Sequence, residues 1–224
     1  MYVCDKKNIK EAAFSMANKS CIIRLSSYRN SLLRLKALNF VKVFSENLAD
    51  AARVTAAQVR KDFSLFGISG NRRGGYLVDE LIIQISAILG KDKVQKFIVV
   101  GIGNIGKALL NYPGFKKNEI ELVAGFDTDV SKLDRDAKLP ILPLDELRDF
   151  VGKNEIRFGI ISVPDLVAQE VLKLMLGAGI RGVLNFAPIC LKELPNCVVH
   201  NLSLETELEN IIYFTNFAEQ TGNK

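Results

Sequence analysis

The chain has 224 residues and a formal net charge of +5, with 48% hydrophobic and 25% charged residues. That balance is ordinary for a soluble globular protein with room for one large core or two small ones. No apolar run is long enough to cross a bilayer, and MYVCDKKNIKEAAF has no apolar stretch after its lysines, so neither a membrane span nor a signal peptide is expected.

Cys4, Cys21, Cys190 and Cys197 show neither C-x-x-C spacing nor a histidine cluster. Free buried thiols in a reducing cytoplasm are expected, with no metal site. Charge is uneven: residues 1–90 carry 14 Lys or Arg against 7 Asp or Glu, and residues 91–224 carry 16 against 18. A basic module joined to a slightly acidic one fits a nucleic-acid-binding domain fused to another domain. A solvated basic surface without a partner would give the same count.

The first fifteen or so residues are polar and expected to fray. From Lys19, the apolar positions Ile22, Leu25, Leu32, Leu33, Leu35 and Leu38 predict a helix of several turns. SENLADAARV predicts a short helix opened by Ser45. Thr55 and Gln58 have capping-box spacing, so a further helix starts there and ends near Gly67. The turn between the two is too short for anything but a steep crossing, which is helix-turn-helix geometry. GISGNRRGGYLV holds four glycines and two arginines in twelve residues. It predicts a β-ribbon with Arg72 and Arg73 at its tip, completing a winged helix. VDELIIQISAILG predicts an amphipathic helix, and Gly90-Lys91-Asp92 a domain boundary.

Beyond Lys96 strands and helices alternate. FIVVG, IELVAGFD, LPIL, IRFGIISV, RGVLNF and CVVHN read as strands. GNIGKALLNY, LDELRDFV, DLVAQEVLKLMLGAG and LETELENIIYFTNFAEQ read as helices. The pattern predicts an α/β domain with a parallel sheet covered on both faces. Gly101-x-Gly103-x-x-Gly106 follows the strand FIVV and opens a helix, and Asp127 ends the next strand 21 residues after Gly106. This is the Rossmann pattern for a dinucleotide: Gly101 makes the turn, Gly103 admits the pyrophosphate, and Gly106 lets helix and strand pack. Asp127 would bond the ribose hydroxyls and, with Asp129 nearby, repel a 2′-phosphate, favouring NAD(H) over NADP(H). A glycine turn with no ligand is the bland alternative.

A dehydrogenase needs a proton donor or acceptor beside the nicotinamide. The only histidine is His200, near a strand end, and Lys107 lies inside the helix after the loop. No catalytic set is visible, so a signal-reading protein is favoured over an enzyme. An NAD-dependent oxidoreductase with an accessory N-terminal domain is the first alternative, and a CoA- or nucleotide-binding regulator on the same frame the second. On the second helix of the helix-turn-helix, Val59, Phe63 and Phe66 make a buried face. Thr55, Gln58, Arg60, Lys61 and Ser64 are left for other faces, where they can meet base edges and phosphates. Arg72 and Arg73 suit a narrow A·T-rich minor groove.

At VTAAQVRKDFSLFG, RRGGY, VVGIGNIGKALLNYPGF, GFD, SVP and GIRGVLNFAP the chain resembles the Rex family of redox-sensing transcriptional repressors, from about Cys21 to Phe217. The resemblance implies a homodimer on inverted-repeat operator DNA, released when NADH binds. It implies a winged-helix domain at 1–90, a Rossmann NAD(H) domain at 91–203, and an exchanged C-terminal helix and tail at 204–224. By the same resemblance Gly101, Gly103, Asn104, Ile105 and Gly106 hold the pyrophosphate and Asp127 the ribose. Val163 and Pro164 lie near the cofactor, Asn185 near the nicotinamide, and Tyr112 matches a switch tyrosine. Two departures bear on NADH discrimination: Asn30 and Ser203 stand where well-known members have an arginine and an aspartate. On the wing, Arg73 and Gly74 replace a usual Gly-Val pair.

Overall fold

The computed structural model describes residues 6–70, 74–115, 119–192 and 194–220, and of residues 6–19 the backbone alone. The chain forms two compact units, residues 1–93 and 94–224.

In the first unit, α1 (Lys6–Ala37) precedes β1 (Lys42–Val43), α2 (Ser45–Ala49), α3 (Ala56–Leu65), β2 (Tyr76–Leu77) and α4 (Val78–Ile88). Residues 6–15, expected to fray, continue α1. They have no apolar stripe to announce a helix, but nothing in them breaks one. Leu25, Tyr28 and Leu32 of α1 meet Leu48 of α2, Val59 and Phe63 of α3, and Leu81 and Ile85 of α4 in one buried core. Phe63 anchors α3 there, edge-on to Tyr28 on one side and Tyr76 on the other.

Ser45 opens α2, as the sequence suggests; the residue before it, Phe44, holds the cap position and its N–H donates to Asn47 Oδ1 at 2.8 Å. Two expectations are corrected. Phe66 is only partly buried, packed at the edge of the core. The ribbon read within GISGNRRGGYLV is instead β2 paired antiparallel with β1, Lys42 facing Leu77 and Val43 facing Tyr76. Gly75 permits that close pairing, since a Cβ there would lie 2.5 Å from the Val43 carbonyl oxygen. Arg72 and Arg73 lie outside the described residues. The sharp α2–α3 turn is real: Arg53 adopts a left-handed φ of 52°, and Val54 N–H donates to Ala49 O.

The second unit is a six-stranded parallel sheet: β3 (Gln95–Val100), β4 (Ile120–Asp127), β5 (Ile141–Pro143), β6 (Phe158–Ile161), β7 (Gly182–Asn185) and β8 (Val198–Asn201). Its order, β5-β4-β3-β6-β7-β8, reverses direction between β3 and β6, the doubly wound topology with a switch point there. On one face α6 (Leu147–Asn154) and α7 (Asp165–Ala178) seal a large core around Ile98, Phe126, Ile161 and Leu172. On the other face α5 (Asn104–Leu110) packs over Val99, Leu122 and Ile160, and Phe97, Leu184 and Phe186 are only partly buried. That face is thus less covered than a doubly wound sheet leads one to expect. The last helix, α8 (Leu204–Gln220), buries no residue in the single chain.

Candidate functional site

The crevice lies where topology predicts, at the carboxyl ends of β3 and β6. Gly101 turns the chain out of β3 with φ 93°, and a Cβ there would sit 2.5 Å from the Ser162 carbonyl oxygen. Ser162 Oγ donates to Gly101 O at 2.7 Å and holds the loop on β6. At Gly106 a Cβ would fall 2.1 Å from Gly101 O, so only glycine lets α5 pack this close to the turn. Gly103 differs: a Cβ there meets nothing within 4 Å, because it faces the open crevice.

The cavity in front of the loop measures about 690 Å³, a usual size for a cofactor pocket. Gly101, Gly103, Asp127, Val163 and Pro164 line it, with Phe126, Leu144 and Leu174 adding apolar wall. Asn104, Ile105 and Gly106 form the first turn of α5 behind Gly103. Asp127 is 8% exposed. Its Oδ2 accepts from Ile102 N at 2.7 Å and Lys132 Nζ at 3.0 Å, and its Oδ1 from Asp129 N at 2.9 Å. Burial works to raise its pKa, but the Asp129 and Ile102 amides and the Lys132 ammonium outweigh it and hold the carboxyl below the usual range. An ionised acceptor at this strand end suits two ribose hydroxyls. Lys132 went unread in the sequence, although its spacing five residues after Asp127 was visible.

Two expected cofactor residues do not line this cavity in the single chain. Tyr112 is 57% exposed after α5, edge-on to Phe115, and borders a separate groove with Leu110, Leu122 and Leu139. Asn185 is wholly buried: Nδ2 donates to Ile189 O and Asn201 Oδ1, and Oδ1 accepts from Ala187 N. Its amide staples the loop after β7. His200 is exposed on β8 and Lys107 on α5, neither lining the crevice. Among the described residues no group of His, Cys, Asp or Glu could hold a metal ion.

In the first unit, α3 presents Ala57, Arg60, Lys61 and Ser64 to solvent, with Thr55 exposed at its cap. Thr55 Oγ1 accepts from Gln58 N at 3.2 Å. The capping box is only half made, because the Gln58 side chain does not return to Thr55; Nε2 donates instead to Asp62 Oδ1 at 2.8 Å. Arg60 reaches Glu46 at 3.5 Å, both exposed, a pair of little energetic weight.

Asp62, absent from the sequence reading, is the centre of this helix. It is fully buried, and Arg24 grips it through Nε at 2.6 Å and Nη2 at 2.7 Å while Tyr28 OH donates at 2.9 Å. Burial pushes its pKa up, but donors on Arg24, Gln58 and Tyr28 overcome this and hold it at about 2. The same burial, then the carboxylate itself, pushes the Cys21 thiol up to about 11. Because the folded pKa lies below the ordinary 3.8, this stabilisation is complete above about pH 5 and lost progressively as pH falls through 2. The loss should be about 2 kcal/mol in urea titrations, and Asp62→Asn should remove that pH dependence. Arg24→Ala, which strands the buried carboxylate, should cost about 3–5 kcal/mol at neutral pH.

The two family departures have structural homes. Arg29, the neighbour of the exposed Asn30 in sequence, is buried with Nε donating to Ser86 Oγ at 2.8 Å and joins the α1–α4 packing. Ser203 Oγ accepts from Thr206 N and caps α8, a role that serine and aspartate share.

Winged helix and dinucleotide-type sheet together define the class: a DNA-binding protein with a nucleotide-binding regulatory domain. Residues 19–64 match the family described as putative DNA-binding protein N-terminus, and residues 92–189 match the CoA binding domain family. The redox-sensing transcriptional repressor Rex of Streptococcus thermophilus is 37% identical over 194 residues, 85% of this chain and 89% of that one. The Rex of Syntrophobacter fumaroxidans is 38% identical over 208 residues, covering 91% and 98%. Among solved structures, RSP in complex with β-NAD+ and operator DNA superposes with a TM-score of 0.84 at 31% identity, covering 92% of this chain and 95% of that one. RSP in complex with β-NADH gives 0.77 at 31% identity, covering 91% and 96%. The chain belongs to the Rex family of redox-sensing transcriptional repressors.

Proposed function

We propose that this protein is a cytoplasmic, homodimeric repressor that binds operator DNA through α3 and leaves it when NADH fills the crevice. One observation carries the reading: a single chain holds both the exposed polar stripe of α3 and a glycine-floored crevice ending in an ionised Asp127. The RSP structures hold β-NAD+ with operator DNA and β-NADH, which supports the same pairing of ligands. Gly101, Gly103 and the first turn of α5 receive the pyrophosphate, Asp127 the adenosine ribose, and Val163 and Pro164 an apolar face of the nucleotide. Lys132 pairs with both Asp127 and Asp129 and offsets one of their charges; the net negative charge that remains opposes a phosphate on that ribose, which disfavours NADPH and CoA alike. Arg60, Lys61, Ser64 and Thr55 meet the duplex, and Arg72 and Arg73 an A·T-rich minor groove flanking each half of an inverted repeat.

Dimerisation rests on α8. Leu208, Ile211, Ile212, Phe214 and Phe217 are more than half exposed, which no 17-residue helix sustains alone in water. Exchange of this helix onto the partly covered sheet face of a second copy would bury both surfaces. Phe214→Asp with Ile211→Asp should therefore convert the dimer to a monomer in light scattering and weaken operator binding by more than about tenfold, since two linked half-sites are lost.

The whole reading is tested by calorimetric titration of NADH, NADPH and CoA, alongside selection of duplex from a random pool at low salt. Tighter NADH binding and retained duplex are expected; preference for CoA, or no retained duplex, would overturn it.

A further inference from the structure

We infer that Gln58 is a positioning residue of the recognition helix and not a reader of bases. This rests on the proposal that α3 enters the duplex. Glutamine at the third position of such a helix suggests a two-ended bond to adenine, which needs both the amide oxygen and the amide nitrogen. Here the nitrogen donates to Asp62 Oδ1 at 2.8 Å, the oxygen that also takes Arg24 Nη2. Asp62 Oδ2 takes Arg24 Nε and Tyr28 OH. Four donors thus converge on one fully buried carboxylate. Withdrawing Gln58 would remove a donor from a desolvated charge, a costly exchange for one base contact.

The geometry gives the arrangement a task. Arg24 and Tyr28 belong to α1, and Gln58 and Asp62 to α3, so the cluster sets the rotation of α3 against α1. Ala57, Lys61 and Ser64, spaced i, i+4, i+7, are the exposed stripe that this rotation aims outward. At a side-chain radius of about 6 Å, a rotation of about 10° shifts a contacting atom by about 1 Å, enough to spoil a hydrogen bond to a base edge. Gln58 therefore acts on every base contact through Asp62 and on none directly.

The test uses full-length protein and a palindromic duplex that the wild-type chain selects from a random pool. Affinities are measured for that duplex and for each single-base-pair variant, across a range of salt. For Gln58→Ala, affinity should fall about threefold to tenfold on every duplex, the effect of one hydrogen bond. The ranking of variants should hold within about twofold, since no base is read, and the salt slope should not change. Asp62→Asn should give the same uniform pattern with a larger loss, and should Asp62→Asn fail to fold, Gln58→Ala decides alone. A Gln58→Ala protein that loses discrimination at one base pair of each half-site, normally about 5- to 150-fold, would overturn the inference. So would unchanged affinity for all duplexes. Failure of the wild-type chain to retain any duplex would instead sink the reading of α3 as a DNA-binding helix.

Discussion

Gly103→Val should abolish NADH binding while leaving the nucleotide-binding unit folded. The backbone at Gly103 is extended, with φ −82° and ψ −160°, a negative φ at the margin of the β region that valine occupies. Nothing in the protein lies within 4 Å of the new Cβ. Replacing the cap residue of α5 should therefore cost less than about 1 kcal/mol and lower the thermal midpoint by about 4 °C or less. The branched side chain would, however, fill the space through which the pyrophosphate approaches the first turn of α5. A loss of about a hundredfold or more in NADH affinity is expected, because that close approach is what the glycine permits. Gly106→Ala supplies the contrast: its Cβ collides with the Gly101 carbonyl, so stability and binding should fall together. The Gly103→Val protein should still bind operator and no longer respond to NADH. Wild-type NADH affinity in this variant would show that the nucleotide lies elsewhere.

The second large effect belongs to α3. Arg60 and Lys61 are exposed, and the pair that Arg60 makes with Glu46 at 3.5 Å is peripheral. Substituting both with alanine should leave unfolding and NADH affinity unchanged. Operator affinity should fall by about a hundredfold or more at physiological salt, at about 1–3 kcal/mol for each lost charged contact. If both meet phosphates in each protomer of the dimer, the slope of log affinity against log salt should shrink by about 3.6, near 0.9 for each counterion no longer released. Retained affinity would move the docking surface away from this stripe.

Some of this site was readable from residue order because its signals are local. The glycine spacing, the apolar strand before it and Asp127 at the next strand end lie within one β-α-β unit, and the structure places Gly101, Gly103 and Asp127 on one cavity. The strand-helix alternation specified the sheet for the same reason. What escaped depended on distant partners. Asp62 looks like an ordinary polar position on an exposed helix until Arg24, 38 residues earlier, folds against it. Gln58 matched a capping box in spacing, but a stronger acceptor lay one turn ahead. The partner of β2 is a two-residue strand before α2, too short to show alternation. Asn185 gives no sign that its amide is engaged by the loop that follows it.

The proposed repressor works only if filling the crevice alters the affinity of α3 for DNA. A ligand shifts such an equilibrium only through unequal affinity for its two states, and tenfold inequality supplies about 1.4 kcal/mol per site. The decisive measurement is fluorescence anisotropy of the selected operator bound to the intact dimer, titrated with NAD+ and NADH separately. NADH should release the DNA at concentrations where NAD+ leaves it bound. Identical curves for the two nucleotides, or operator affinity indifferent to both, would contradict the proposal.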